Sequence, residues 1–150
     1  MEVRPYAPAD RGACLAVFDS NVPEFFRSEE RREFEDFLTA PKCPYFVMEL
    51  AEGIAGCGGY CLTEEQTAAR MVWGMVRREL HRKGLGRFLL LYRLHEIGAL
   101  AGVQLVQLDT SQAAAPFFAS QGFKVTGVVK DGYGAGLDRV SMTMKLTVCP

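Results

Sequence analysis

The stretch from Trp73 to Leu90 constrains this chain more than any other. Apolar residues run into Arg77 and Arg78, then a basic, glycine-bearing loop, His81-Arg82-Lys83-Gly84-Leu85-Gly86, opens a long amphipathic helix. A strand passing through such a loop into a helix makes an anion site. The first backbone N–H groups of a helix have no internal partner and lie at its positive end, while glycine lets a phosphate approach the main chain. Arg82, Lys83 and Arg87 add full charges. The spacing does not fit two other phosphate motifs: there is no Gly-x4-Gly-Lys-Ser/Thr, and a dinucleotide fingerprint would need glycine where Leu89 stands. The bland alternative is that Gly84 and Gly86 serve only helix–sheet packing and the basic residues form a solvated turn.

The remaining pattern predicts the frame around this junction. Glu2 to Tyr6 reads as extended. Asp10 is placed to cap a helix to Asp19 with Leu15 and Phe18 inward, and Ser28 to cap a second that buries Phe34, Phe37 and Leu38. Tyr45 to Leu50 and Ile54 to Leu62 read as a hairpin turning at Glu52 and Gly53, and Ala68 to Arg77 as a third strand. On the long helix, Gly86, Leu90, Leu94, Ile97 and Ala101 share a face, with Leu89 and Leu91 beside it. Val103 to Leu108 is then a strand, Ala113 to Gln121 a short helix and Phe123 to Val129 a strand. Gly132, Gly134 and Gly136 predict a flexible loop before a last strand in which Val140, Met142, Met144 and Leu146 alternate with polar residues. The expected class is α/β (α+β): one domain over 1–150, a mixed, mostly antiparallel sheet of about six to seven strands flanked by about four helices.

Composition narrows the function. Hydrophobic residues make up 49% and charged residues 23% of the 150, an ordinary globular balance. A net charge of -1 gives no overall attraction to nucleic acid. No basic leader precedes an apolar core, and no run approaches the ~18 apolar residues of a membrane span, so the expected location is the cytoplasm. The five cysteines, Cys14, Cys43, Cys57, Cys61 and Cys149, show no metal-knuckle spacing and read as free thiols. Cys57 and Cys61 on one strand would lie roughly 13 Å apart, too far to share a metal, so no metal site is expected.

His81 to Gly86 resembles the pyrophosphate loop of the GNAT acetyltransferases, Gln/Arg-x-x-Gly-x-Gly/Ala, with His81 at the first position. Ser111 to Phe123 is similar to that family's Asn-x-x-Ala-x-x-Phe-Tyr-x-x-x-Gly-Phe, with Ser111 for the asparagine and Phe118 for the tyrosine. Together with the order of strands, the resemblance spans Tyr45 to Leu146. It implies a GNAT-like fold and transfer of an acetyl group from acetyl-CoA to a primary amine of a small molecule or peptide, by direct attack through a tetrahedral intermediate. The residues implied to bind the cosubstrate are Met75, Val76, Arg82, Lys83, Gly84, Leu85, Gly86, Arg87, Ser111 and Phe118, with a backbone N–H near Met75 or Val76 meeting the acyl oxygen. Phe118 cannot donate a proton as the family's tyrosine does. The catalytic candidates are therefore Glu24, as base for the amine, and Tyr133, as acid. The resemblance leaves room for a homodimer. Two alternatives stand beside the enzyme: a non-catalytic CoA-binding or sensing module, and a phosphate-ligand protein unrelated to CoA.

Overall fold

Alternating apolar residues and well-placed turns produce a 7-stranded sheet in the computed structural model, which describes residues 1–146. The strands are β1 (Glu2–Pro5), β2 (Tyr45–Leu50), β3 (Gly53–Leu62), β4 (Ala68–Val76), β5 (Leu105–Thr110), β6 (Lys124–Gly134) and β7 (Leu137–Lys145). The helices are α1 (Arg11–Ser20), α2 (Arg31–Thr39), α3 (Leu85–Gly98) and α4 (Ala115–Ser120). The order across the sheet is β1-β2-β3-β4-β5-β7-β6, and among the described residues only β4 and β5 run parallel. The mixed, mostly antiparallel sheet with helices on both faces is thus the expected class. Among the described residues, no helix is long and apolar enough to cross a membrane.

Strand alternation sends successive side chains to opposite faces, and each face acquires its own core. Cys14, Val17 and Phe18 of α1 and Phe34 and Leu38 of α2 pack on Tyr45, Val47, Cys57 and Met75. On the other face, Leu90 and Ile97 of α3 meet Phe46, Tyr60, Met71, Val106, Leu108, Val140 and Met142. Burial of each such large side chain stabilises the fold by about 1.5–3 kcal/mol.

Local chemistry moved several expected features. Asp10 stands at the start of α1 without capping it, because its carboxylate turns back to the Ala7 N–H at 2.9 Å and to Arg4 at 2.9 Å. Ser28 begins a 3-10 turn, and Glu30 instead accepts the Arg27 N–H at 2.8 Å. On α3 the buried stripe is Leu89, Leu90, Arg93 and Ile97, whereas Leu91 is 43% exposed. The i, i+4, i+8 row from Leu89 through Arg93 to Ile97 puts Arg93 inside and turns Leu91 outward. β5 starts two residues later than expected. The expected loop shrinks to a two-residue turn at Ala135 and Gly136, since β6 continues through Gly134, which pairs with Leu137 of β7. A side chain at position 132 would strike Arg139, whose Cβ lies 2.6 Å from where the added Cβ would sit, so glycine there permits close strand pairing.

The cysteines require a second correction. Cys43 and Cys61 form a disulfide with Cα atoms 5.1 Å apart, while Cys14 and Cys57 are buried free thiols. The cause is register. Tyr45 pairs with Gly59, and continuing that antiparallel ladder two steps sets Cys43 opposite Cys61. Spacing along one strand does not reveal a cross-strand partner. Cys149 lies outside the described residues.

Candidate active site in the split between β4 and β5

The one parallel pair in the sheet is incomplete. β4 and β5 are matched only at Ala68–Leu105, Ala69–Val106 and Arg70–Gln107, although β4 continues to Val76 and β5 to Thr110. A bulge in β4 accompanies the parting. Cys57 pairs with Met75 and Gly59 with Val72, so Gly58 faces both Trp73 and Gly74, and Trp73 takes a φ of 45°. The Tyr45 hydroxyl anchors the bulge by donating to the Trp73 carbonyl at 2.7 Å.

Backbone alternation assigns the free groups of this edge. The Arg77 N–H donates to Ala55 of β3, so the neighbouring Val76 N–H and C=O point the other way, into the split. The Val76 carbonyl is used: Asn21 Nδ2 donates to it at 3.0 Å and His81 Nε2 at 2.7 Å, which fixes the proton on His81 Nε2. The Val76 N–H remains aimed at the gap, while the Met75 N–H turns toward β3.

At the end of the split lies the start of α3. Arg82 and Gly84 both take left-handed backbone, with φ of 64° and 81°, which turns the chain from β4 into the helix. The Phe88 N–H closes the first turn on the Gly84 carbonyl at 3.0 Å. The Leu85, Gly86 and Arg87 N–H groups precede that bond and lack an internal helical partner. Arg82, Lys83 and Arg87 are exposed around them. The Cα of Gly86 faces the split, since an added Cβ would lie 3.7 Å from Phe117 and 3.9 Å from Val76. β4, α3 and α4 thus meet at one place, with backbone donors and cations suited to a diphosphate.

The profile of the acetyltransferase (GNAT) domain matches residues 41–125, which include the bulge, the anion loop and α4. The chain belongs to the GNAT acetyltransferase family. As such it is an acyltransferase. Solved structures agree in fold. A protein from Desulfovibrio desulfuricans described as an acetyltransferase of the GNAT family is 25% identical, with a TM-score of 0.79 over 96% of this chain and 98% of that one. A ribosomal-protein-alanine N-acetyltransferase from Brucella melitensis is 22% identical, with a TM-score of 0.74 over 97% of this chain and 100% of the other. An aminoglycoside 6'-N-acetyltransferase complexed with coenzyme A, at 14% identity, superposes with a TM-score of 0.80 over 100% and 99% of the two chains. No curated protein sequence matches the chain significantly.

Within this GNAT chain, the structure gathers Val76, Leu85, Gly86 and Arg87 around the split and sets Arg82, Lys83 and Gly84 on its exposed approach. Ser111, just past β5, is 3% exposed, and its Oγ has no hydrogen-bond partner among the described residues. Phe118 is half-buried against the core, edge-on to Phe117 and Phe123 at 5.0 and 5.8 Å. Its neighbour Phe117 is the ring that meets Gly86. Glu24 is exposed on the connection between α1 and α2, paired with Arg78, whose guanidinium covers Phe25 at 5.1 Å. Tyr133 is half-buried on β6. Burial, then the charges of Asp109 and Glu30, hold its phenol well above the usual range.

Three participants escaped the sequence reading. Asn21 is 3% exposed and reaches Val76 from the end of α1. Phe117 is distinguished from Phe118 only by helix phase. Arg93 lies behind the bulge in what reads as an apolar stripe, and the sole signal was a charge at a core-facing position.

Proposed function

We propose that this GNAT chain transfers an acetyl group from acetyl-CoA to a primary amine of a small molecule or peptide. One observation carries this reading: the unpaired half of β4, with the Val76 N–H free, leads through residues 77–84 to the glycine-opened N-terminus of α3. A pantetheine-length ligand laid along that edge would present its carbonyl to Val76 and its diphosphate to residues 82–87. Met75 contributes the strand's shape rather than a donor to the gap, and Phe117 and Gly86 wall it. Ser111 Oγ is a spare buried hydroxyl at the facing strand end, and Phe118 holds α4 in place.

A primary amine with a pKa near ~10 must lose a proton before it attacks. Glu24 takes that proton through water, being an exposed carboxylate that Arg78, two residues past Val76, holds near the end of β4. Tyr133, with its phenol held above the usual range, acts as a hydrogen-bond donor; full transfer of its proton to a thiolate of pKa ~8.5 runs uphill. Acceptors named for similar proteins, ribosomal-protein alanine and aminoglycosides, are both amines, and they define the first panel.

The test is thiol release from acetyl-CoA across alkyl amines, aminoglycosides and peptides. Amine-dependent release supports transfer. Phe118, without a transferable proton, favours one other reading, a CoA-sensing module, which requires CoA binding and no release with any amine.

A further inference from the structure

Arg93 is 4% exposed, and no acidic side chain pairs with it among the described residues. Its guanidinium makes two long bonds, Nε to the Leu89 carbonyl and Nη1 to the Gly59 carbonyl, both at 3.3 Å. Nη2 donates to no acceptor among those residues. A charge buried in this way is costly, and an apolar residue of similar volume generally serves stability as well or better. Burial lowers the guanidinium pKa only to about 10, so it is charged at neutral pH.

Its position is specific. Added Cβ atoms at Gly58 and Gly74 would lie 3.0 and 2.9 Å from the guanidinium, so these two glycines make the recess it fills. Gly74 follows Trp73 in the bulge and is exposed, although Arg93 covers the side on which its Cβ would stand. The backbone of Gly74, on the half of β4 that β5 leaves unpaired, is therefore exposed and directly against a fixed positive charge. The site also lacks a ready proton donor, because Phe118 has none and the phenol of Tyr133 is held protonated.

We propose that Arg93 is an electrostatic positioning residue, the fixed positive charge behind Gly74 that stabilises the thiolate leaving from CoA. This rests on the reading of the split as the acetyl-CoA site. In the step concerned, the amine lone pair forms an N–C bond to the acyl carbon and the carbonyl π pair moves to oxygen. When that pair returns, the C–S bond breaks and its electrons leave on sulfur. Glu24 has by then passed to solvent the proton it took from the ammonium, so the proton still on nitrogen after attack passes through water to it, and the thiolate takes its own proton later from solvent. Arg93 acts on the sulfur's charge, so no side-chain acid is needed at the moment of cleavage.

The experiment is a pH titration of CoA bound to the protein, following thiolate absorbance as a difference from ligand-free protein, for the unaltered chain, R93M and R93K. The CoA thiol should ionise about one pH unit lower when bound than when free, a tenfold gain in thiolate at a given pH. R93M should bind CoA within about threefold of the unaltered chain, lose that shift, and lower kcat at least tenfold at similar KM; R93K should restore most of both. If R93M does not fold, R93Q, which keeps a donor and loses the charge, makes the same comparison. Equal thiol ionisation in the unaltered and neutral variants overturns the role of Arg93 while leaving the CoA site standing. Failure of the unaltered chain to bind CoA overturns the site itself and this role with it.

Discussion

At the residue scale, Gly86 is a size test of the split. Its added Cβ would meet Phe117 and Val76 at ordinary contact distances, 3.7 and 3.9 Å. Gly86→Ala should therefore bind CoA within about threefold and gain up to ~1 kcal/mol of stability from helix propensity. Gly86→Leu should weaken CoA binding at least tenfold, read by calorimetry. Tyr133→Phe removes a hydrogen-bond donor worth about 1 kcal/mol, so kcat should fall roughly five- to tenfold. No limb of the pH–rate profile below pH ~10 should change, because the raised phenol is protonated throughout. Unchanged rate and profile would remove Tyr133 from the mechanism. Asp10 tests stability. Hydrogen bonds from Arg4 depress its pKa, so its contribution is present above the unfolded value of ~3.9 and is lost as pH falls through the lower folded value. Asp10→Ala should cost about 2 kcal/mol at pH 7, with the difference in denaturation midpoint shrinking as pH falls below ~3.9.

At the scale of elements, what is legible in sequence is what local chemistry decides. The β2–β3 hairpin, β4 and the glycine-opened α3 follow from alternation, turn glycines and the basic loop, and these hold most of the proposed cosubstrate site. Features set by tertiary partners are not legible. Arg4 diverts Asp10 from its capping role, the packing of Gly132 against Arg139 turns most of a supposed loop into strand, and the bulge at Trp73 exists only relative to β3. The Cys43–Cys61 bond belongs here too, because antiparallel register, not spacing, brings the sulfurs together. Closing that 18-residue separation should stabilise the chain by about 3 kcal/mol. Digestion without reductant should release a peptide pair linked through Cys43 and Cys61, and C43A/C61A should unfold at lower denaturant. Alkylation of both thiols in the native protein would contradict the pairing.

At the scale of the molecule, a sheet with one incomplete parallel pair couples stability to function. Apolar clusters on both faces, with a smaller one of Met48, Val76 and Leu89, hold the strands, and the place where β4 and β5 part leaves backbone groups free without breaking them. Asn21, His81, Phe117 and Arg93 converge there from α1, the anion loop, α4 and α3, so the split is over-determined by four separate elements. The family profile fixes the class of protein, and the geometry proposes the ligand. Calorimetry of the purified chain with acetyl-CoA, against CoA, ATP and NAD, tests that proposal most directly. Micromolar binding of acetyl-CoA and CoA, with ATP and NAD at least a hundredfold weaker, is the result expected. Equal binding of all four, or binding of neither CoA compound, would contradict it.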